Sequence, residues 1–333
     1  MALSVRGGRT GNPAQPGRNL PRGVFSEHLP AVKRRQPPLP RQWAFLLAAG
    51  LIAGTTIGLS FWGLGSQVVS SLNPAGPGGG RPGAELQARV DRFVAGLPAD
   101  FGTIGIAVKN LRTGEAAAYN SDQVFEAASL YKLGVMLAIF EAVEAGDLTL
   151  DDPIIIPEWA VNASEWSVYY AGDVVSGWEA LEAMVTLSDN PTALVFMQLL
   201  GIDRVNRVLQ SYGLNDTHMD WSGTTTTPAD VLKIFELIET GRAVSPEASR
   251  QMRQMLLRQQ DKRRIPAGLA PEVPVAHKTG SLPGIAHDAG IIYLPAGPVI
   301  LVVLTGDLAD YRNGEEAIAE AARLVADYFG GLG

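Results

Sequence analysis

Ser129 and Lys132 stand three residues apart at the head of a long helix-periodic stretch. Side chains at i and i+3 share one face of a helix, so the hydroxyl and the amine can touch. A serine hydroxyl is a weak nucleophile at its own pKa, and a lysine held out of water can be lowered far enough to take its proton. The pair is therefore a candidate activated nucleophile that needs no histidine. A helix start at Ser129 adds a favourable field for a developing oxyanion, with the Ser129 N–H as a natural donor. Two more strings carry chemically useful groups. Ser188-Asp189-Asn190 lies just ahead of Pro191, where the chain must turn, and Lys278-Thr279-Gly280-Ser281 closes an extended run.

In this order, and at close to the same intervals, the three strings resemble the S-x-x-K, S-D-N and K-T-G elements of the penicillin-recognising serine enzymes, the class A β-lactamases and penicillin-binding proteins. A lone S-x-x-K is common by chance, so the ordered set carries the resemblance. It covers residues 84–333 and implies an α+β fold of the β-lactamase/transpeptidase type, an antiparallel sheet flanked by helices plus an all-α lobe. It implies that Ser129 is acylated with Lys132 as its base. Ser188 then relays a proton to the leaving group, and Asn190 binds the substrate's side-chain amide. Lys278 and Thr279 suit a carboxylate, with Arg264 or Arg312 as alternative anchors. Gly280 lets a substrate backbone lie close, and the Ser281 N–H completes an oxyanion hole. Asp189 is expected to be structural. No cofactor or metal is implied, and the small-molecule partner is a β-lactam or the D-alanyl stem peptide of peptidoglycan.

The chain departs from class A enzymes at one point. There, a loop between S-D-N and K-T-G brings a Glu, usually in an E-x-x-L-N string, that activates the hydrolytic water. Here no Glu occurs between Gly201 and Phe235, and Asp216 and Asp220 are the nearby carboxylates. Acylation with slow deacylation is therefore expected. A D,D-peptidase of cell-wall peptides and a penicillin-binding sensor without turnover stand as alternatives. The stretch Ile154 to Asp173 supplies Glu158, Glu165 and four aromatics (Trp159, Trp166, Tyr169, Tyr170) that could wall a cleft, although packing inside the lobe is the commoner use of such a cluster.

Patterning supplies the elements that must hold these groups. A helical run from Leu86 to Leu97 precedes strands at Thr103 to Lys109 and near Tyr119, joined by a turn at Asn110 to Gly114. The middle, Ser129 to about Ile265, is almost wholly helical in period. A capping box, Ser176 to Glu179, opens one of its helices, and Thr227 before Pro228 opens another. Strands return at Val273 to Gly280, Ala289 to Leu294 and Val299 to Thr305, and a helix at Glu315 to Phe329 closes the chain. Early and late strands around a helical block predict one antiparallel sheet built from both ends of the chain.

The 333 residues, 46% of them hydrophobic, allow a full core. The absence of cysteine excludes disulfides, thiolate metal sites and a cysteine nucleophile, and the four histidines form no H-E-x-x-H string. Residues 84–333 carry 18 basic and 33 acidic side chains, which argues against a nucleic-acid surface. Residues 1–41, rich in Pro, Gly and Arg, read as a disordered basic cytoplasmic segment. The uncharged run Trp43 to Leu64 reads as a single-pass membrane anchor, and residues 65–83 as a Gly/Pro linker. Positive charge ahead of the span places the catalytic domain outside the cytoplasm, at the cell membrane. Oligomeric state is not legible.

Overall fold

The computed structural model describes residues 83–330. The expectations for segment 1–41, the anchor at 43–64 and nearly all of the linker fall outside those residues. Among the described residues no helix is long and apolar enough to cross a membrane.

In chain order, helix α1 (Ala84–Ala95) leads into strands β1 (Thr103–Asn110), β2 (Ala116–Tyr119) and β3 (Phe125–Glu126). A 3-10 turn, Ala128–Leu130, enters α2 (Tyr131–Glu144). Then come β4 (Pro153–Ile155), α3 (Glu158–Asn162), β5 (Val174–Ser176), α4 (Gly177–Thr186), α5 (Asn190–Leu200) and α6 (Ile202–Ser211). A small hairpin, β6 (His218–Asp220) and β7 (Gly223–Thr226), precedes α7 (Pro228–Glu239) and α8 (Pro246–Leu257). A second 3-10 turn, Ile265–Gly268, leads to β8 (Val275–Leu282), β9 (Ile285–Leu294), β10 (Gly297–Gly306) and α9 (Tyr311–Gly330).

The main sheet has the order β2-β1-β10-β9-β8, and every pair in it is antiparallel. It is built from both ends of the chain, as the pattern predicts. β10 shows why its sequence is a continuous apolar run. Alternate residues point to opposite faces, so Val299, Leu301 and Val303 join α1 and α9 in one core. Ile300, Val302 and Leu304 face the helical lobe instead. α2 is the axis of that lobe, buried on every side from Lys132 to Phe140. Gly134 permits this burial, because a Cβ there would stand 2.5 Å from the Met219 Cε of β6.

The caps read from sequence are present. The Ser176 hydroxyl accepts from the Glu179 N–H while the Glu179 carboxylate accepts from the Ser176 N–H, and Thr227 caps α7. Three expectations are corrected. The middle is not almost all helix, since β3 pairs with the β6–β7 hairpin and β4 pairs with β5. Strands of two to four residues are too short to show a period of 2. Ser129 does not open an α-helix but lies on the 3-10 turn before it. Ala128, with φ at 44°, breaks the helical path there. The closing helix starts one turn before Glu315, at Tyr311.

Candidate active site

Five elements converge on Ser129. Its turn is pinned from below by β7, through the Ala127 N–H donating to Thr224 O at 2.8 Å. It is pinned from the side by the edge strand β8, because a Cβ on Gly280 would come 3.2 Å from Ala128 Cβ and 3.3 Å from Ser129 N. A side chain there would crowd the turn, and glycine lets the Gly280 backbone lie close against Ser129. α2 carries Lys132 one turn on. The α4–α5 junction carries Ser188, whose φ of 60° is the second left-handed, non-glycine backbone beside the site after Ala128. Such conformations cost about 1–3 kcal/mol and persist where the surroundings over-determine them.

Lys132 is fully buried, and its Nζ lies 3.3 Å from Ser129 Oγ, 2.5 Å from Ser188 O, 3.1 Å from Ser188 Oγ and 2.6 Å from Asn190 Oδ1. Burial holds its pKa well below the ordinary lysine value, and the Lys278 charge pushes it down further, against a smaller opposing pull from Asp189. A neutral amine has two N–H groups and one lone pair. Its two shortest contacts are to oxygens that can only accept, which leaves the lone pair for a hydroxyl. The hydroxyls of Ser188 and Ser129, at 3.1 and 3.3 Å, are the two groups placed to donate to it, so Lys132 is within reach of the Ser129 proton. With Asn190 Oδ1 engaged by Lys132, the Asn190 side chain still has its NH2 group to offer a substrate carbonyl.

Lys278 is also fully buried and donates to Ser188 Oγ at 2.9 Å and to Thr279 O at 2.8 Å. Its pKa is pushed down to about 7, first by burial and then by the Arg264 charge, with Asp288 and Asp261 opposing. Ser188 Oγ thus bridges the two lysines, an arrangement able to pass a proton. Thr279 is buried beside Lys278, and Ser281 is exposed at the strand edge. The structure joins Ser129, Lys132, Ser188, Asn190 and Lys278 in one hydrogen-bonded cluster, and Thr279 and Ser281 flank Gly280 on the strand beside it.

Asp189 is buried, capping α5 through the Thr192 N–H at 2.9 Å and accepting from the Val168 N–H, also at 2.9 Å. The second bond ties the stretch between β4 and β5 to the site. Of the four aromatics of that stretch, Trp159, Trp166 and Tyr170 are exposed and Tyr169 packs against the lobe core, so the lobe packing expected for the cluster holds for one of them. Asp220 is taken up by its own hairpin, its carboxylate accepting from Ser222 N and Oγ at 2.8 and 2.7 Å, which lowers its pKa. Asp216 and Glu165 are exposed. Among the described residues none of these carboxylates hydrogen-bonds to the site groups.

Sequence reasoning gave Arg264 only as a fallback, and it is a central group. Fully buried, it donates through Nη1 to Gly280 O and His287 O and through Nη2 to Ser281 Oγ and the Tyr311 hydroxyl. Arg312, the other fallback, is exposed and paired with Asp310. His277 and His287 serve the framework. His287 donates from Nε2 to Glu126 O at 2.8 Å and accepts at Nδ1 from the Thr305 N–H at 3.0 Å. Burial holds it neutral, with a pKa near 4. His277 bonds Asp288, which also accepts from the Ile265 N–H at 3.0 Å and so fixes the turn that follows Arg264.

The β-lactamase enzyme family profile matches residues 85–329. A β-lactamase of Streptomyces albus G is 26% identical over 281 residues, spanning 77% of this chain and 90% of its own. The crystal structure of a β-lactamase from Sphaerobacter thermophilus is 30% identical and superposes with a TM-score of 0.68, covering 73% of this chain and 97% of that one. PBP-A is 27% identical with a TM-score of 0.70, over 75% of this chain and 98% of that one. The chain belongs to the β-lactamase enzyme family and is a class A β-lactamase-like serine hydrolase.

Proposed function

We propose that Ser129 attacks the carbonyl of a β-lactam to form a covalent acyl-enzyme that is released slowly. The observation that carries this is the position of buried Lys132, whose Nζ lies 3.3 Å from Ser129 Oγ while its two shortest contacts are to Ser188 O and Asn190 Oδ1. The Ser129 proton passes to Lys132 as the Oγ–carbonyl bond forms, and the Ser129 and Ser281 N–H groups receive the oxyanion. The ring C–N bond then breaks, and its nitrogen takes a proton from Ser188, which recovers one from the lysines on either side. Lys278 and Thr279 hold the substrate carboxylate, and Asn190 holds the side-chain amide.

Slow release rests on the departure from E-x-x-L-N and on Asp220 being bound within its own hairpin. A variant of PBP-A has been solved as an acyl-enzyme complex with penicillin G, and that relative supports adduct formation here. The same observations favour a second reading, a D,D-peptidase that accepts peptidoglycan stem peptides at the same serine. Release of D-alanine from a stem-peptide mimic separates the two readings. On the sequence alone, we place this domain outside the cell membrane, tethered by Trp43 to Leu64. Intact-mass spectrometry after exposure to penicillin tests the acylation step, with Ser129→Ala as the control that should stay unmodified.

A further inference from the structure

We propose that Tyr311 determines specificity for carboxylate-bearing substrates. It forms with Ser281 a hydroxyl pair, polarised by Arg264, that presents one O–H donor to the substrate carboxylate. The inference rests on the acyl-enzyme reading above and adds to it a group that no motif marks.

A guanidinium has five N–H groups and no acceptor. The four terminal ones of Arg264 are engaged, Nη1 by Gly280 O and His287 O, Nη2 by Ser281 Oγ and the Tyr311 hydroxyl. The fifth, on Nε, has no hydrogen-bond partner and lies 3.6 Å from Glu315 Oε1. Arg264 is fully buried, so even this N–H does not reach a ligand in the cleft. Its charge reaches the cleft only through the two hydroxyls it supports.

Those hydroxyls lie 2.7 Å apart, and either can be the donor in that contact. Two hydroxyls carry two hydrogens. One closes the contact between them, and the other cannot point back at Arg264, whose N–H groups already face both oxygens. It must point outward. Ser281 is exposed, one residue beyond Gly280, whose backbone lies against Ser129. With Tyr311 donating to Ser281 Oγ, the free O–H is that of Ser281, on the same strand as Lys278 and Thr279. An anion fits there, because a hydroxyl that accepts from a guanidinium is a stronger donor in turn. The Tyr311 ring also lies over the guanidinium, with Arg264 Cζ 5.4 Å from its centroid. Packing alone would account for that ring, so the test has to isolate the hydroxyl.

Tyr311→Phe keeps the ring and removes only the O–H. Acylation rate constants of the full chain are measured by intact mass for wild type and Tyr311→Phe, each with benzylpenicillin and with its carboxylate methyl ester. The variant should lose about tenfold or more with the free acid, the usual worth of a hydrogen bond to a charged group, and stay within about twofold of wild type with the ester. Equal loss with both compounds, or no loss with either, overturns the proposal while leaving the acyl-enzyme reading intact. A wild type acylated by neither compound overturns that reading and this one together. If Tyr311→Phe fails to fold by circular dichroism, Ser281→Ala decides, since it retains the backbone N–H and must show the same loss confined to the free acid.

Discussion

Lys278 Nζ donates to Ser188 Oγ at 2.9 Å, and Lys132 Nζ reaches the same oxygen at 3.1 Å. Two buried amines on different elements therefore share one hydroxyl, and in the proposed reaction each serves best in a different protonation state. There Lys132 is neutral to take the Ser129 proton and Lys278 is cationic to hold a carboxylate, and the Lys278 pKa is pushed down to about 7.

The first prediction is a falling limb in acylation as pH rises through about 7, when Lys278 loses its proton. Lys278→Arg stays charged throughout and should abolish that limb. The pH dependence of the acylation rate constant checks it, and an identical limb in Lys278→Arg would assign the titration to another group.

The same shift makes a stability prediction. Burial pushes Lys278 down to about 7 in the folded chain from the ordinary lysine value of 10.5 that it regains on unfolding, so between those limits the unfolded chain binds more protons at this site. Stability then rises with pH. Lys278→Met lacks the group, so the stability of wild type relative to that variant should increase from pH 7 to pH 9 in urea unfolding. A difference that falls over that range would contradict the shift.

Asp189→Asn separates two jobs of one carboxylate. The amide oxygen can still cap α5, but its NH2 group would face the Val168 N–H, donor against donor. The variant should lose about 1–3 kcal/mol of stability, the cost of an unpaired buried polar group, and amide exchange should quicken at Val168. Unchanged exchange there would mean that the aromatic stretch is held by other contacts.

Asp220→Asn and Glu165→Gln should leave the lifetime of the penicillin adduct within about twofold of wild type, since losing general-base help typically costs about 10²- to 10⁴-fold. A much longer-lived adduct in either variant would identify the missing water activator.

Much of this architecture was legible in the sequence for local reasons. β10 is apolar from Val299 to Leu304 because it is buried on both faces, and the Ser176–Glu179 box is a purely local arrangement. The three motif strings, Ser129 to Lys132, Ser188 to Asn190 and Lys278 to Gly280, were legible because their residue types and order carry the family resemblance. Arg264 was not, because Lys262, Arg263 and Arg264 are adjacent cations and only tertiary contacts decide which is buried. Asp288 grips the Ile265 N–H and turns Arg264 inward, while Arg263 pairs with Asp261 at the surface. Tyr311 was hidden because the helix pattern is recognisable only from Glu315, although the helix begins one turn earlier. The left-handed Ala128 has no residue signal, since alanine is ordinarily the strongest helix former.

The central claim, a long-lived ester at Ser129, is tested most directly by intact-mass spectrometry of the full chain over time after one pulse of benzylpenicillin. The account predicts a mass increase of one penicillin per chain that persists for minutes, on the scale set by the loss of general-base help, and is absent in Ser129→Ala. Rapid consumption of the penicillin with no adduct at any time, or an undiminished adduct on Ser129→Ala, would contradict it.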